Sequence, residues 1–300
     1  MKIFVWILLF LLVINVIAAL ITVFRKPRSI SSVLAWMMTL IFLPGIGFII
    51  YLFWGRGIDG QEVFKLSDDE KQMVQRIKEK VDVDNKKAGR DKRYDLLYDA
   101  KVLNRYFRNM DASPLAKRNS LQLFTDGQEK FQALFEDIRA AKETVHVEYY
   151  AFFNDTIGNQ FLDVLIEKLH EGVEVYLIYD PWGSPGANKK FFARYVDAGG
   201  KVAPFITSRD MIRKTRLNYH LHRKIVVIDG KIGWTGGFNV GDQYLNVTEK
   251  FGYWRDTHIR LVGTAVFSLQ EIFIMDWNAS VKYPEERMTY HEKYFKLPED

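Results

Sequence analysis

Between Ser120 and Ile206, short runs of β-branched and aromatic residues alternate with segments of helical periodicity, and this alternation is the strongest constraint on the fold. LQLFTDG (Leu121–Gly127) reads as a strand entering a turn, QEKFQALFEDIRAAKE (Gln128–Glu143) as an amphipathic helix, and TVHVEYYAFF (Thr144–Phe153) as a strand. IGNQFLDVLIEKLHEG follows as a helix with Gly172 as its C-cap, and VEVYLIYD (Val173–Asp180) as a buried strand. NKKFFARYVDAGG then reads as a helix and KVAPFI as another strand. Strands and helices in this order predict an α/β domain with a mixed, largely parallel sheet flanked by helices on both faces.

The N-terminal part is of another kind. Met1–Phe24 carries no charge after Lys2, and Ser29–Gly55 carries none at all. At ~1.5 Å per helical residue, each run is long enough for a ~30 Å hydrocarbon core. The link between them is RKPR, Arg25–Arg28, so the pair predicts a two-helix transmembrane hairpin in residues 1–57. A cleaved signal peptide fits less well, because the first run exceeds a ~7–15-residue signal core and a second run follows at once. Pro44-Gly45 predicts a kink or a re-entrant segment, and Trp6, Trp36, Tyr51 and Trp54 fall towards the ends of the runs, where interfacial aromatics sit. Basic residues flank both sides of the hairpin, so charge does not fix which side the remaining chain faces. Residues 58–119 are charged and polar and predict a solvated juxtamembrane helix and linker.

Cysteine is absent, which excludes disulfides, thiolate catalysis and Cys-ligated zinc. The net charge of +5 is a mild excess, compatible with an acidic membrane surface or a phosphate-bearing substrate. A stripe of Lys and Arg interleaved with stacking aromatics is missing, which argues against a nucleic-acid partner.

The chemistry concentrates in YHLHRKIVVIDGKIGWTGGFN, Tyr219–Asn239. Asp229-Gly230 is a hairpin turn between two strand-like runs. His222 and Lys224 are two apart and so face the same side of a strand, as does His220, while Arg223 faces the other. A histidine and a lysine on one face, followed by Gly236-Gly237 and Asn239, suit a phosphodiester. Lys224 and the Asn239 amide can hold non-bridging oxygens, the glycines let the backbone come close, and the histidine can attack phosphorus if a carboxylate holds its other nitrogen. No cofactor and no metal is expected; His146-x-Glu148 is half a metal site without a second cluster to complete it.

H-x-K-x4-D followed by G-G-x-N resembles the signature of the phospholipase D superfamily. VEYYAFFND, GVEVYLIYDPWGS, GGFNVGDQY, YWRDTHIRLVG and SVLAWMMTLIFLPGIGFIIYLFWGR narrow the resemblance to bacterial cardiolipin synthases. The resemblance implies a phospholipase D-like catalytic half over residues 120–283, a connection or tail over 284–300, and a multi-pass protein of the bacterial cell membrane. It implies that His222 is the nucleophile forming a phosphatidyl-histidine, that Lys224, Asn239 and Gly237 bind phosphate, and that Asp229 is the motif aspartate, read here as structural because it falls at the turn. Asp256 takes the place of the carboxylate that orients the histidine, with Asp242 the alternative; Glu148 and Tyr149 lie in a family-like strand without an assigned role.

Family members carry two such motifs and this chain carries one. His258 lacks a lysine two residues on, and His291-x-Lys293 is followed by Pro298 where the aspartate belongs. The leaving group needs a general acid, normally the second histidine, so the resemblance implies a partner: a second phospholipase D-like half or a second copy of the chain. The substrates implied are phosphatidylglycerol and membrane phospholipid. A dimeric, nuclease-like phosphodiesterase and a non-catalytic membrane half-enzyme are the competing functions.

Overall fold

The computed structural model describes residues 29–43, 45–55, 66–88, 115–205, 220–247 and 252–297, with isolated helical positions at Trp6, Phe10, Val13, Ile17, Ile21, Val102, Leu103 and Tyr106. Most of the first apolar run and all of the RKPR link lie outside the described residues. The described residues fall into two compact units, one carrying Ile30–Gly55 and the other carrying everything described from residue 66 onward.

In the first unit, α1 (Ile30–Phe42) starts at Ser29, whose hydroxyl accepts the Ser32 N–H. A break follows before the short α2 (Ile46–Ile50) and a π-helical turn, Tyr51–Gly55. Gly45 at the break has φ +82°, a left-handed conformation that favours glycine. A Cβ on Gly47 would lie 2.5 Å from the Thr39 carbonyl oxygen, so glycine lets α2 fold closely back on α1. Trp36 meets Tyr51 edge to face at 5.1 Å. The second apolar run is thus interrupted where Pro44-Gly45 predicted a kink, and among the described residues no helix is long and apolar enough to cross a membrane.

In the second unit, α3 (Asp68–Ala88) begins with a reciprocal cap between Ser67 and Glu70. It is not the wholly solvated helix its composition predicted: Val74, Ile77 and Val81, at helical spacing, are buried, and Asp84 pairs with Arg118. The elements that follow are β1 (Asn119–Phe124), α4 (Gly127–Ala140), β2 (Thr144–Tyr149), α5 (Thr156–His170), β3 (Glu174–Tyr179), the short α6 (Ala193–Asp197), β4 (Lys201–Pro204), β5 (Lys224–Ile228), β6 (Ile232–Gly236), β7 (His258–Gly263) and α7 (Val266–Ser280). The helix expected over NKKFFARYVDAGG shrinks to α6, because the Asn188 side chain accepts the Lys190 and Phe191 N–H groups and forms a turn instead.

The seven strands form one sheet in the order β1-β7-β6-β5-β2-β3-β4. Only β2–β3 and β3–β4 are parallel; the other four pairings are antiparallel, which corrects the expectation of a largely parallel sheet. The reason is local. After β4 the chain builds β5, β6 and β7 as consecutive antiparallel neighbours, the first pair through the Asp229-Gly230 turn, so crossover helices serve only the first part of the sheet.

α4 and α5 cover one face, where Phe131, Leu134, Ile138, Phe161 and Leu165 pack on Val145, Val147, Val226 and Ile228. α7 covers the other face, with Val266 and Leu269 against Ile225 and Val227, and Trp277 edge-on to Tyr176 at 4.7 Å. The central strands β2, β3 and β5 are therefore buried on both sides, whereas the edge strand β1 leaves Leu121 and Leu123 exposed.

Candidate active site

One end of the sheet gathers the outgoing ends of β2, β3 and β6 and the incoming ends of β5 and β7. His222 lies two residues before β5 and is exposed, and its ring rests on Tyr150 with centroids 4.8 Å apart. Lys224, the first residue of β5, is only 4% exposed, pairs in register with Tyr149, and places Nζ 5.3 Å from the centre of the Tyr150 ring. Burial draws its ammonium down to about 8, and the carboxylate of Asp256 pulls the other way.

Asn239 is held from both sides of its amide: Oδ1 accepts the Ala151 N–H at 3.2 Å and Nδ2 donates to the Tyr244 hydroxyl at 2.8 Å. Among the described residues no acceptor takes the second amide hydrogen, which can meet an incoming oxygen. A Cβ on Gly237 would fall 1.9 Å from Asp256 Oδ1, so the absence of a side chain there lets the carboxylate close on the turn. The Gly237 N–H donates to the Thr257 carbonyl, and Asp256 Oδ1 accepts the Thr257 N–H at 2.7 Å. His222, Lys224, Gly237, Asn239 and Asp256 are thereby brought to the same end of the sheet.

Three expected residues lie elsewhere. Asp229 sits at the far end of β5 with φ +51°, where its carboxylate accepts the N–H groups of Lys142, Glu143 and Thr144, each at 2.8 Å. Asp242 accepts the N–H groups of Thr156 and Ile157 and so caps α5. Glu148 points to the face covered by α7, with Asp276 and Arg223. Burial, with Asp276 beside it, holds the Glu148 carboxyl well above the usual range. His146 shares that face, stacks on Phe273 at 4.8 Å and bonds Gln270 through Nδ1 at 2.9 Å. Among the described residues no group of three or more His, Asp or Glu is placed to hold a metal ion.

Tyr150 and Tyr244 were not singled out by the sequence, nor was a buried layer below the site. Lys130 is fully buried and donates to the Tyr149 hydroxyl at 2.9 Å, its ammonium pushed well below the usual range by burial. His258 is buried beneath the glycine pair, held neutral by burial and by Lys130 and Lys224 nearby. His258 stands two residues after Asp256, so strand parity alone places it on the same face.

Residues 134–267 match the family described as "Cardiolipin synthase, PLD-like domain", and residues 13–56 match "Phospholipase_D-nuclease N-terminal". A phospholipase D-like domain of the cardiolipin synthase family therefore occupies residues 134–267. A cardiolipin synthase of Listeria monocytogenes serotype 4b (strain CLIP80459) is 40% identical over 301 residues, 97% of this chain and 60% of the relative. One of Staphylococcus aureus (strain Mu50 / ATCC 700699) is 40% identical over 289 residues, 94% of this chain and 57% of the relative. The chain thus spans about 60% of the length of the curated relatives it matches. Among solved structures, NucT from Helicobacter pylori aligns with a TM-score of 0.43 and 18% identity over 55% of this chain and 100% of that one.

Proposed function

We propose that the chain carries the phosphatidyl-accepting half of a cardiolipin synthase-type phosphatidyltransferase. His222 attacks the phosphorus of phosphatidylglycerol, a nitrogen–phosphorus bond forms, and the bond to the glycerol oxygen breaks. Lys224 and the free amide hydrogen of Asn239 stabilise the charge that builds on the non-bridging oxygens, and Asp256 orients the imidazole. A second phosphatidylglycerol then takes the phosphatidyl group through its headgroup hydroxyl, giving cardiolipin and glycerol. The observation that carries this reading is the convergence of an exposed histidine, a buried lysine beside a carboxylate, and a doubly anchored asparagine at one end of one sheet.

The departing glycerol oxygen needs a proton. A second phospholipase D-like half, or His222 of a second copy, supplies it, with a two-fold axis through the cleft. In this reading residues 1–57 attach the chain to the bacterial cell membrane by two spans, which brings the site to its lipid. Incubation of detergent-purified chain with headgroup-labelled and acyl-labelled phosphatidylglycerol tests the proposal. Cardiolipin with free glycerol supports it; phosphatidic acid identifies a hydrolase instead, and no turnover at any protein concentration identifies a non-catalytic half. Activity that falls on dilution more steeply than protein concentration supports the second copy.

A further inference from the structure

A second polar cluster adjoins the site and takes no part in the scheme above. Asp180, just after β3, is 2% exposed, and its carboxylate is fixed by backbone: Oδ1 accepts the Trp182 N–H and Oδ2 the Leu221 N–H, both at 2.8 Å. His220 lies beside it, with Nδ1 3.6 Å from Asp180 Oδ2 and without a hydrogen-bond partner among the described residues. An imidazole whose Nδ1 faces that carboxylate directs Nε2 away from it. The His220 ring packs against Trp182 at 5.4 Å, and Trp182 is 59% exposed.

This cluster is continuous with the nucleophile. His220 precedes His222 by two residues, with buried Leu221 between them, in the stretch that leads into β5. From the other direction, Gly183 is pressed on Tyr150, where an added Cβ would meet the Tyr150 carbonyl at 2.3 Å and its ring at 2.8 Å. Ser184 Oγ donates to the same carbonyl at 3.1 Å. The Tyr150 ring in turn touches His222. Trp182, His220, His222 and Tyr150 therefore close into one rim.

We propose that Trp182 and His220 form the subsite for a neutral polyol headgroup next to the phosphate held by Lys224. An exposed indole face covers the carbon chain of a short polyol, while one oriented imidazole offers a directional hydrogen bond to a hydroxyl. Charge selects against an ammonium headgroup: the cluster's own carboxylate, Asp180, is buried and engaged by two backbone N–H groups, and the other nearby carboxylate, Asp256, is offset by Lys224. The proposal rests on the phosphatidyl-transfer reading and adds to it the part of the substrate that the H-x-K motif does not touch.

The test is binding of three soluble probes, glycerol phosphate, ethyl phosphate and phosphoethanolamine, to the full chain in detergent, followed by ligand-observed NMR. Glycerol phosphate should bind about 5–10-fold more tightly than ethyl phosphate, the value of one directional hydrogen bond plus an apolar wall. Trp182→Ala and His220→Ala should each erase that preference and leave ethyl phosphate within about twofold of the wild type, while Trp182→Phe should retain most of it. Equal binding of glycerol phosphate and ethyl phosphate by the wild type overturns the proposal, and so does a preference that survives both alanine variants or tighter binding of phosphoethanolamine. Lys224→Met should weaken all three probes together; if it weakens none, the phosphate reading fails, and that result is distinct from a lost polyol preference.

Discussion

His146-x-Glu148 and His222-x-Lys224 have the same spacing and occupy neighbouring antiparallel segments, yet they serve opposite faces of one sheet. The register separates them. Tyr149 stands opposite Lys224 and Glu148 opposite Ile225, so a half-step in the ladder sends one pair to the sheet's open end and the other under α7. Glu148 and His146 are fully buried, whereas His222 is exposed beside a lysine that is only nearly so. The difference teaches that a chemical pair is set by its face and its distance from the strand end, and that spacing within one strand fixes neither.

The largest test of that contrast falls on His222, the proposed nucleophile. His222→Ala should lower phosphatidyl transfer by roughly 10³-fold or more and abolish acid-quenched labelling of the protein by lipid. Because His222 is exposed, unfolding should stay within about 0.5 kcal/mol of the wild type. Equal label on the alanine variant would remove His222 from its role.

Lys224→Met should cost about 10²–10³-fold in rate, the effect of losing one donor to a developing oxyanion, about 2.7–4 kcal/mol. The pH dependence is the sharper readout. The cationic form of Lys224 is present below its value of about 8 and lost as pH rises through it, so kcat/KM should carry a basic limb near pH 8. Asp256 raises that value, so Asp256→Asn should move the limb to lower pH. A limb that stays in place would mean that the two residues do not meet.

The sealed pair should answer in stability and not in transfer. Burial lowers His146 from 6.5 to about 4, so its contribution is full above pH 6.5 and is lost as pH falls towards 4, by about 3 kcal/mol in all. His146→Phe should flatten that acid slope, at a pH-independent cost of about 1–2 kcal/mol for the stranded Gln270. Glu148 has the opposite sign. Its raised carboxyl favours the protonated form, so its contribution is present at low pH and is lost as pH rises above 4.5. Glu148→Gln should flatten that slope. An unchanged acid slope in His146→Phe would show that other groups carry it.

Local pattern made much of this legible. The strand–helix alternation located β1 to β4, the Asp-Gly turn located the β5–β6 hairpin, and strand parity put His222 with Lys224 and apart from Arg223. What stayed hidden depends on contacts between distant segments. Asp242 and Asp256 both follow the glycine pair, and no local rule says that Asp242 turns back to cap a helix that began 86 residues earlier, as its bond to Thr156 does. The antiparallel majority depends on where the chain goes after β4. The face of Glu148 depends on its register with β5, and the Tyr150 platform on a loop that returns from β3.

Asp229 makes the last distinction, because it belongs to the motif yet sits with the sealed end of the sheet. Its carboxylate gathers three backbone N–H groups from the approach to β2, and its own N–H donates to the Thr144 carbonyl at 2.9 Å. The hairpin and β2 are therefore fastened at the end away from Lys224. Asp229→Ala frees those donors. Lys142 and Glu143 are exposed and their N–H groups can turn to water, but that of Thr144 is hindered. Alanine also tolerates φ +51° less well than aspartate. Together these effects should cost about 2 kcal/mol of stability, less than the full value of three charge-assisted bonds because part of the site is wet. Asp229→Asn keeps one acceptor oxygen and the tolerance for positive φ, and should lose about half as much. Below the unfolding transition both variants should transfer at rates within about twofold of the wild type, since a fastening at the far strand end does not touch the phosphate. Thermal unfolding and initial rates measured on the same preparations decide it. Unchanged unfolding with collapsed turnover would move Asp229 from the frame of the sheet into the chemistry.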